Sequence, residues 1–278
     1  MRFAFKTANQ NTTWDDVLAV WKEADDIEVF ESGWNFDHFY PIMSDSSGPC
    51  LEGWIMLAAL AQATRRLRLG TLVTGIHYRH PAVLANMVST LDIVSGGRLE
   101  LGLGAGWNEE ESGAYGIELG TARERSDRFE EACEVIVSLL SRETTDFDGS
   151  HYQLTGARNE PKGPQQPHPP ICIGGNGEKR TLRTAARFAQ HWNFGGGTPE
   201  EFGHKRDVLH AHCADLGRDP GEILLSTHIP FDPANVQATV DSIGTFNERG
   251  LDLAIVYLTP PLTPAVLAPL AAALETIR

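Results

Sequence analysis

A closed (β/α)8 barrel of the α/β class, a TIM barrel with loop insertions, is the architecture predicted by this sequence, and three observations predict it. Short β-rich runs alternate with longer segments whose apolar residues recur at three- and four-residue spacing. Eight such pairs follow one another along the chain. Regular β-α alternation implies a parallel sheet, and eight units in 278 residues suit a barrel of about 250 better than an open doubly wound sheet. Residues 1–278 are read as one domain.

The pairs run in order. RFAFK (2–6) is the first strand and 14–25 its helix; IEVFES (27–32) is followed by 51–64, LRLGTLV (67–73) by 82–94 and RLELGL (98–103) by 123–141. In the second half ICIG (171–174) precedes 178–189, HWNF (191–194) precedes 199–216, ILLSTHI (223–229) precedes 235–248 and DLAIVY (252–257) precedes 264–276. Two segments break the repeat: 105–120, and 143–170 with its proline-rich EPKGPQQPHPP. Alternation resumes after each, so both are insertions on the barrel, where long loops often cover a site.

Composition narrows the function. The chain has no apolar run near the ~18 residues of a membrane span, and its start, MRFAFKTANQ, lacks the pattern of a signal peptide, which predicts a soluble, cytoplasmic protein. Cys50, Cys133, Cys172 and Cys213 are far apart, without metal or redox-pair spacing, and are expected as reduced thiols. A formal net charge of -14 argues against nucleic acid or an anionic membrane as partner. An anionic ligand needs a local basic patch.

On such a barrel the chemistry sits after the strand C-terminal ends. There lie Trp34, Asn35, Phe36, Asp37 and His38; then TGIHYRHP, GAGWNEEE, GGNGEKR and GGGTPEE. Glycine lets backbone approach a neighbour closely, and three of these five loops are rich in it. GLGAGW is not a dinucleotide fingerprint, because its third glycine comes one residue early and it follows the fourth strand. ICIGGNGEKRTLRTAARFA is the better anion site, a strand, a glycine turn and a helix whose free N–H groups face outward. Lys179, Arg183 and Arg187 fall at i, i+4 and i+8, on one predicted helix face, with Arg180 beside them.

The run RLRLGTLVTGIHYRHPAVLANMVSTLDIVSGGRLELGLGAGWNEEE, followed by ICIGGNGEKRTLRTAARFAQHWN and supported by FDHFYP, resembles the luciferase-like monooxygenase superfamily, in particular its coenzyme F-420 (deazaflavin)-dependent oxidoreductase branch. The resemblance covers about residues 1–250 and implies a barrel, often a homodimer, that binds a flavin-like ring at the strand C-terminal ends. Coenzyme F-420 is the cofactor it implies, with FMN the alternative; a long basic stripe suits the phosphodiester and oligoglutamate tail of F-420. For Gly106, Trp107 and Asn108, and for Gly174, Gly175, Asn176, Gly177, Lys179 and Arg183, it implies contacts to the cofactor. For Thr71, Leu72, Val73 and Thr74 it implies a strand-end bulge with a non-proline cis peptide under the ring.

His38 is the expected catalytic residue, since imidazole exchanges protons near neutral pH, and the resemblance implies that Asp37 orients the site. Trp34, Phe36 and Phe39 restrict water around it, though alternate residues of an extended segment face opposite ways. His77 and His80 stand three apart without a third ligand at suitable spacing, so no metal is expected. Glu109, Glu110 and Glu111 read most simply as a solvated acidic loop, the alternative being that one of them is buried near the ring and acts there as an acid or base. The expected activity is hydride transfer between the deazaflavin ring and a small organic substrate. The alternatives are an FMN-dependent monooxygenase and a non-catalytic flavin-binding protein.

Overall fold

Alternate residues of the first strand go to two different cores: Phe3 and Phe5 join a cluster shared with the surrounding helices, and Ala4 a small cluster inside the barrel. This is the period of two of an extended chain. The computed structural model describes residues 1–278 as β1 (Arg2–Thr7), α1 (Trp14–Asp25), β2 (Phe30–Asn35), α2 (Gly53–Ala63), β3 (Arg68–Thr71), β4 (Thr74–Gly75), α3 (Pro81–Ser95), β5 (Leu99–Gly104), α4 (Glu109–Ala114) and α5 (Ala122–Ser141). There follow β6 (Thr145–Asp148), β7 (Gln153–Ala157), β8 (Ile171–Gly174), α6 (Thr181–Phe188), β9 (His191–Phe194), α7 (Pro199–Asp215), β10 (Leu224–Pro230), α8 (Val236–Asn247), β11 (Leu253–Leu258) and α9 (Leu267–Glu275).

The sheet runs β3-β2-β1-β11-β10-β9-β8-β5, and β3 pairs back to β5, so it closes as the predicted eight-stranded barrel. Every pairing in it is parallel. Closure leaves no sheet edge to cover. β3 and β4 are one barrel strand interrupted at Leu72–Val73, where the non-proline cis peptide lies, and both halves pair with β5. No helix is long and apolar enough to cross a membrane.

Most apolar burial lies between barrel and helices, where Trp21 and Phe30 pack on Phe5. Gly33 belongs to that packing, since a Cβ there would stand 2.7 Å from the Trp21 indole. The barrel interior is polar at its lower level. Glu100 Oε1 accepts from Arg68 Nε at 2.7 Å, Glu100 Oε2 lies 3.2 Å from His191 Nδ1, and His191 Nε2 lies 2.6 Å from Ser226 Oγ. A buried polar group costs free energy unless paired, and here the barrel supplies the partners.

Some sequence boundaries shift for local reasons. The second strand starts at Phe30 rather than 27, because the backbone of Ile27 and Phe30 is bonded in turns to Ala24 and Ile27 carbonyls after α1. The helix expected from 178 starts at Thr181, since residues 178–180 form a turn in which Leu182 N–H reaches back to the Gly177 carbonyl. Lys179 therefore precedes the helix and does not share a helix face with Arg183 and Arg187. Within the two insertions the chain forms the short α4 and the antiparallel β6-β7 hairpin.

Candidate active site

A cavity of ≈ 360 Å3 opens at the C-terminal ends of the strands, within the usual range for small-ligand sites. His38, Leu72, Val73, Gly106, Trp107, Gly174 and Gly175 of the predicted residues line it. Lys6, Phe36, Tyr78, Thr181, Asn193 and His228 complete much of the wall.

His38 follows β2 and is buried, with Nδ1 2.8 Å from Glu111 Oε2. Glu111 is fully buried and also accepts the Phe39 N–H at 2.6 Å and the Tyr78 hydroxyl. Burial would raise the Glu111 pKa, but the bonds from His38, Tyr78 and Phe39 outweigh it and hold the carboxyl below its ordinary value. Burial first, and Glu111 second, push the Tyr78 phenol upward, so it stays protonated and donates. With Nδ1 on a carboxylate, His38 keeps Nε2 for the cavity.

This decides between the two readings of the acidic run. Glu109 and Glu110 are exposed, but Glu111 points inward, because residues of a helix are about 100° apart around its axis. Asn108 is the residue that sets this up. It is the N-cap of α4, its side chain accepting the Glu111 N–H at 3.1 Å, and it does not line the cavity as expected for a cofactor contact.

Asp37 does not reach the cavity or His38. It is 1% exposed and forms a forked pair with Arg79, at 2.6 and 3.1 Å, while Arg79 also holds Glu52 at 2.6 Å. The aspartate therefore ties the β2 loop to the segment before α3. Thr71 and Thr74 likewise lie behind the wall, 2.8 Å apart through their hydroxyls, with Trp54 Nε1 donating to Thr74 at 2.9 Å. Leu72 and Val73 between them face the cavity.

The glycines of the mouth make room mainly for the protein itself. A Cβ on Gly104 would meet Val73 Cγ2 at 2.8 Å, one on Gly174 would meet Val73 Cγ1 at 3.0 Å, and one on Gly102 would meet the Thr71 carbonyl at 1.8 Å. The inner rows of β5 and β8 are thus bare so that the β3-β4 bulge can stand in the barrel. At Gly106 the space belongs to His77, whose Nδ1 would lie 2.4 Å from a Cβ. Gly175 differs: its φ of 125° is a conformation L side chains rarely adopt, and its Cβ would touch only Thr181 Cγ2, at 3.2 Å.

Lys6 stands at the floor. Its ammonium is fully buried, 2.7 Å from the Leu72 carbonyl and 3.4 Å from the centre of the Phe36 ring, and burial pushes its pKa well below the ordinary lysine value. Lys6 and His228 escaped the sequence reading, although a signal existed. Ala4 and Lys6, and Leu224, Ser226 and His228, are alternate residues whose last members reach the C-terminal end of the inner face.

Beside this cavity, sharing Thr181 with it, a cavity of ≈ 610 Å3 is lined by Arg123, Asn176, Gly177, Lys179, Arg180 and Lys205 among others. Arg180 is paired with Asp127 and Glu130, and Lys205 with Glu178. Arg187 is paired with Glu130 and Glu134 of α5. Lys179 makes no ion pair within 4.0 Å, is exposed, and is the cation there without a carboxylate. Arg183 is exposed and lines neither cavity. Of the other histidines, burial pushes His77 down to about 4, with Nε2 3.2 Å from Ser112 Oγ, while His80 caps α3 through Nδ1. His212 bonds through Nε2 to the Glu178 carbonyl at 2.7 Å.

Comparison with known proteins agrees with the barrel fold. An uncharacterised protein of Mycobacterium tuberculosis is 32% identical over 159 residues, 55% of this chain and 55% of that protein. The F-420-dependent hydroxymycolic acid dehydrogenase of the same organism is 34% identical over 178 residues, 64% of this chain and 48% of the dehydrogenase. The matched part thus spans about half the length of each of these relatives. Among solved structures, an F-420-dependent secondary alcohol dehydrogenase in complex with an F-420-acetone adduct superimposes with a TM-score of 0.87, covering 100% of this chain and 99% of that one at 19% identity, a likeness of fold. The model of the luciferase-like monooxygenase family matches residues 1–243, and the chain belongs to that family.

Proposed function

We propose that this protein is a coenzyme F-420-dependent oxidoreductase acting on a small organic substrate, with His38 as its proton-transferring residue. The observation that carries this reading is the buried His38–Glu111 pair at 2.8 Å, placed with its imidazole in the wall of the barrel cavity. The residues suit a flavin-like ring: Val73 and Leu72 offer an apolar wall, Trp107 is 62% exposed at the mouth, and the turn that leaves the barrel cavity at Gly175 continues through Asn176 and Gly177, which line the cavity that Lys179 lines. When bound, the coenzyme supplies the hydride chemistry. The chain orients it, excludes water through Phe36 and Trp107, and moves a proton at His38 Nε2. Glu111 holds the imidazole through Nδ1, and Lys179 supplies charge for a phosphate or acidic tail.

The test is a titration of the purified protein with F-420 and with FMN, following tryptophan fluorescence, for which exposed Trp107 is the reporter. Saturable quenching by F-420 with weaker response to FMN is expected. Tight FMN binding with none of F-420 would replace this reading by the flavin monooxygenase one. A homodimer is also proposed, through the neighbouring helices α2 and α3, which expose Ile55, Val83, Ile93 and Val94; sedimentation at micromolar protein checks it.

A further inference from the structure

The triple glycine after β9, Gly195 to Gly197, borders a second chamber of ≈ 550 Å3. Phe36, Gly195 and His228 line both this chamber and the barrel cavity, so the two share a wall. Its far side is Met43, Pro199, Pro230 and Phe246, and no Asp, Glu, Lys or Arg lines it. Such a lining accepts apolar surface and penalises a charge that would enter unpaired. This contrasts with the cationic cavity around Lys179, which meets the barrel cavity at Thr181 instead.

His228 stands at the junction, and its Nε2 is a buried polar atom with no partner in the protein. Burial first, and Lys6 second, hold its imidazole neutral, and burial keeps the Tyr257 phenol of the same chamber protonated. A buried polar atom left unpaired costs free energy that a ligand group can recover.

We propose that this second chamber holds the body of the substrate, that the substrate is an uncharged and mainly apolar molecule, and that His228 is the hydrogen-bond partner of its polar group. The inference deepens the redox reading of the barrel cavity and rests on it. It excludes sugar phosphates, sulfonates and free carboxylates as substrates.

Cyclohexanone and cyclohexanecarboxylate share a ring and differ in charge, and saturation-transfer NMR titrations of each, on the full chain with and without F-420, test the proposal. The ketone is expected to bind at least roughly tenfold more tightly than the carboxylate, because the chamber offers no cation to pair with it. Thr245→Trp, at an exposed position of α8 on the chamber wall, is expected to weaken ketone binding by roughly tenfold or more by filling the space. His228→Leu is expected to weaken it several-fold, and circular dichroism verifies that both variants fold. Equal binding of the carboxylate, or ketone binding untouched by Thr245→Trp, overturns the proposal. F-420 affinity read by fluorescence in the same samples separates the two readings. Without F-420 binding the redox reading fails, while ketone binding to the cofactor-free protein still decides the chamber.

Discussion

His38 Nδ1 and Glu111 Oε2 lie 2.8 Å apart although 73 residues separate them, and both side chains are buried at the mouth of the barrel. One carboxylate fixes the imidazole, the Phe39 N–H and the Tyr78 hydroxyl together. His38→Ala is therefore expected to keep F-420 affinity within several-fold and to cut turnover by about 10²–10⁴, the scale of losing a general acid or base. Glu111→Gln, which positions the histidine without lining the cavity, is expected to cost about 10–100-fold and to alter the pH-rate profile. Single-turnover oxidation of bound reduced coenzyme across pH 5 to 9 measures both; wild-type rates throughout would make the histidine scaffolding.

Asp37 separates from its neighbour in kind. Asp37→Asn breaks one arm of the buried pair with Arg79, which keeps Glu52, so a loss of about 3 kcal/mol is expected, the low end for breaking such a pair. Urea unfolding reads it. Turnover per folded molecule should remain within several-fold, and a deep loss of rate without loss of stability would return Asp37 to the chemistry.

Glu100 gives the protein an acid-sensitive element. Burial alone would raise its pKa, but His191 and Arg68 hold it at about 2, below the ordinary 4.5. A depressed carboxyl stabilises the fold above 4.5, and that contribution is lost as pH falls from 4.5 toward 2. Glu100→Gln should be less stable at pH 7 yet lose less stability between pH 5 and 3 than the wild type. Parallel curves in urea midpoints against pH would contradict this.

Lys179→Ala should weaken F-420 binding by about 1–3 kcal/mol at low salt, with the loss shrinking as salt rises, since Lys179 is the unpaired cation of its cavity. Arg183→Ala is the control. Exposed and outside both linings, it should leave affinity unchanged. Equal effects of the two would restore a continuous basic stripe as the tail site.

Gly175→Val places a β-branched side chain at a φ of 125° with its Cβ near Thr181. Coenzyme affinity should fall by roughly tenfold or more, and Tm by about 2–8 °C through backbone strain. Normal affinity in a folded variant would mean that this turn does not approach the coenzyme.

The sequence by itself determined the barrel. Periods of two and of three to four report which face of each element is apolar, a local property, and their eightfold alternation leaves a parallel closed sheet as the packing solution. It also brought His38 and the Leu72–Val73 segment to the strand ends, because chain direction alone decides which loops share the C-terminal face. Tertiary structure decided which groups meet there. Glu111 reads as one of three solvated carboxylates until the Asn108 cap sets the phase of α4 and turns it inward against β2. Asp37 and Arg79, and Val73 standing in the space left by Gly104 and Gly174, depend in the same way on barrel closure. Closure sets distances between side chains far apart in the chain, and local periodicity carries no information about them.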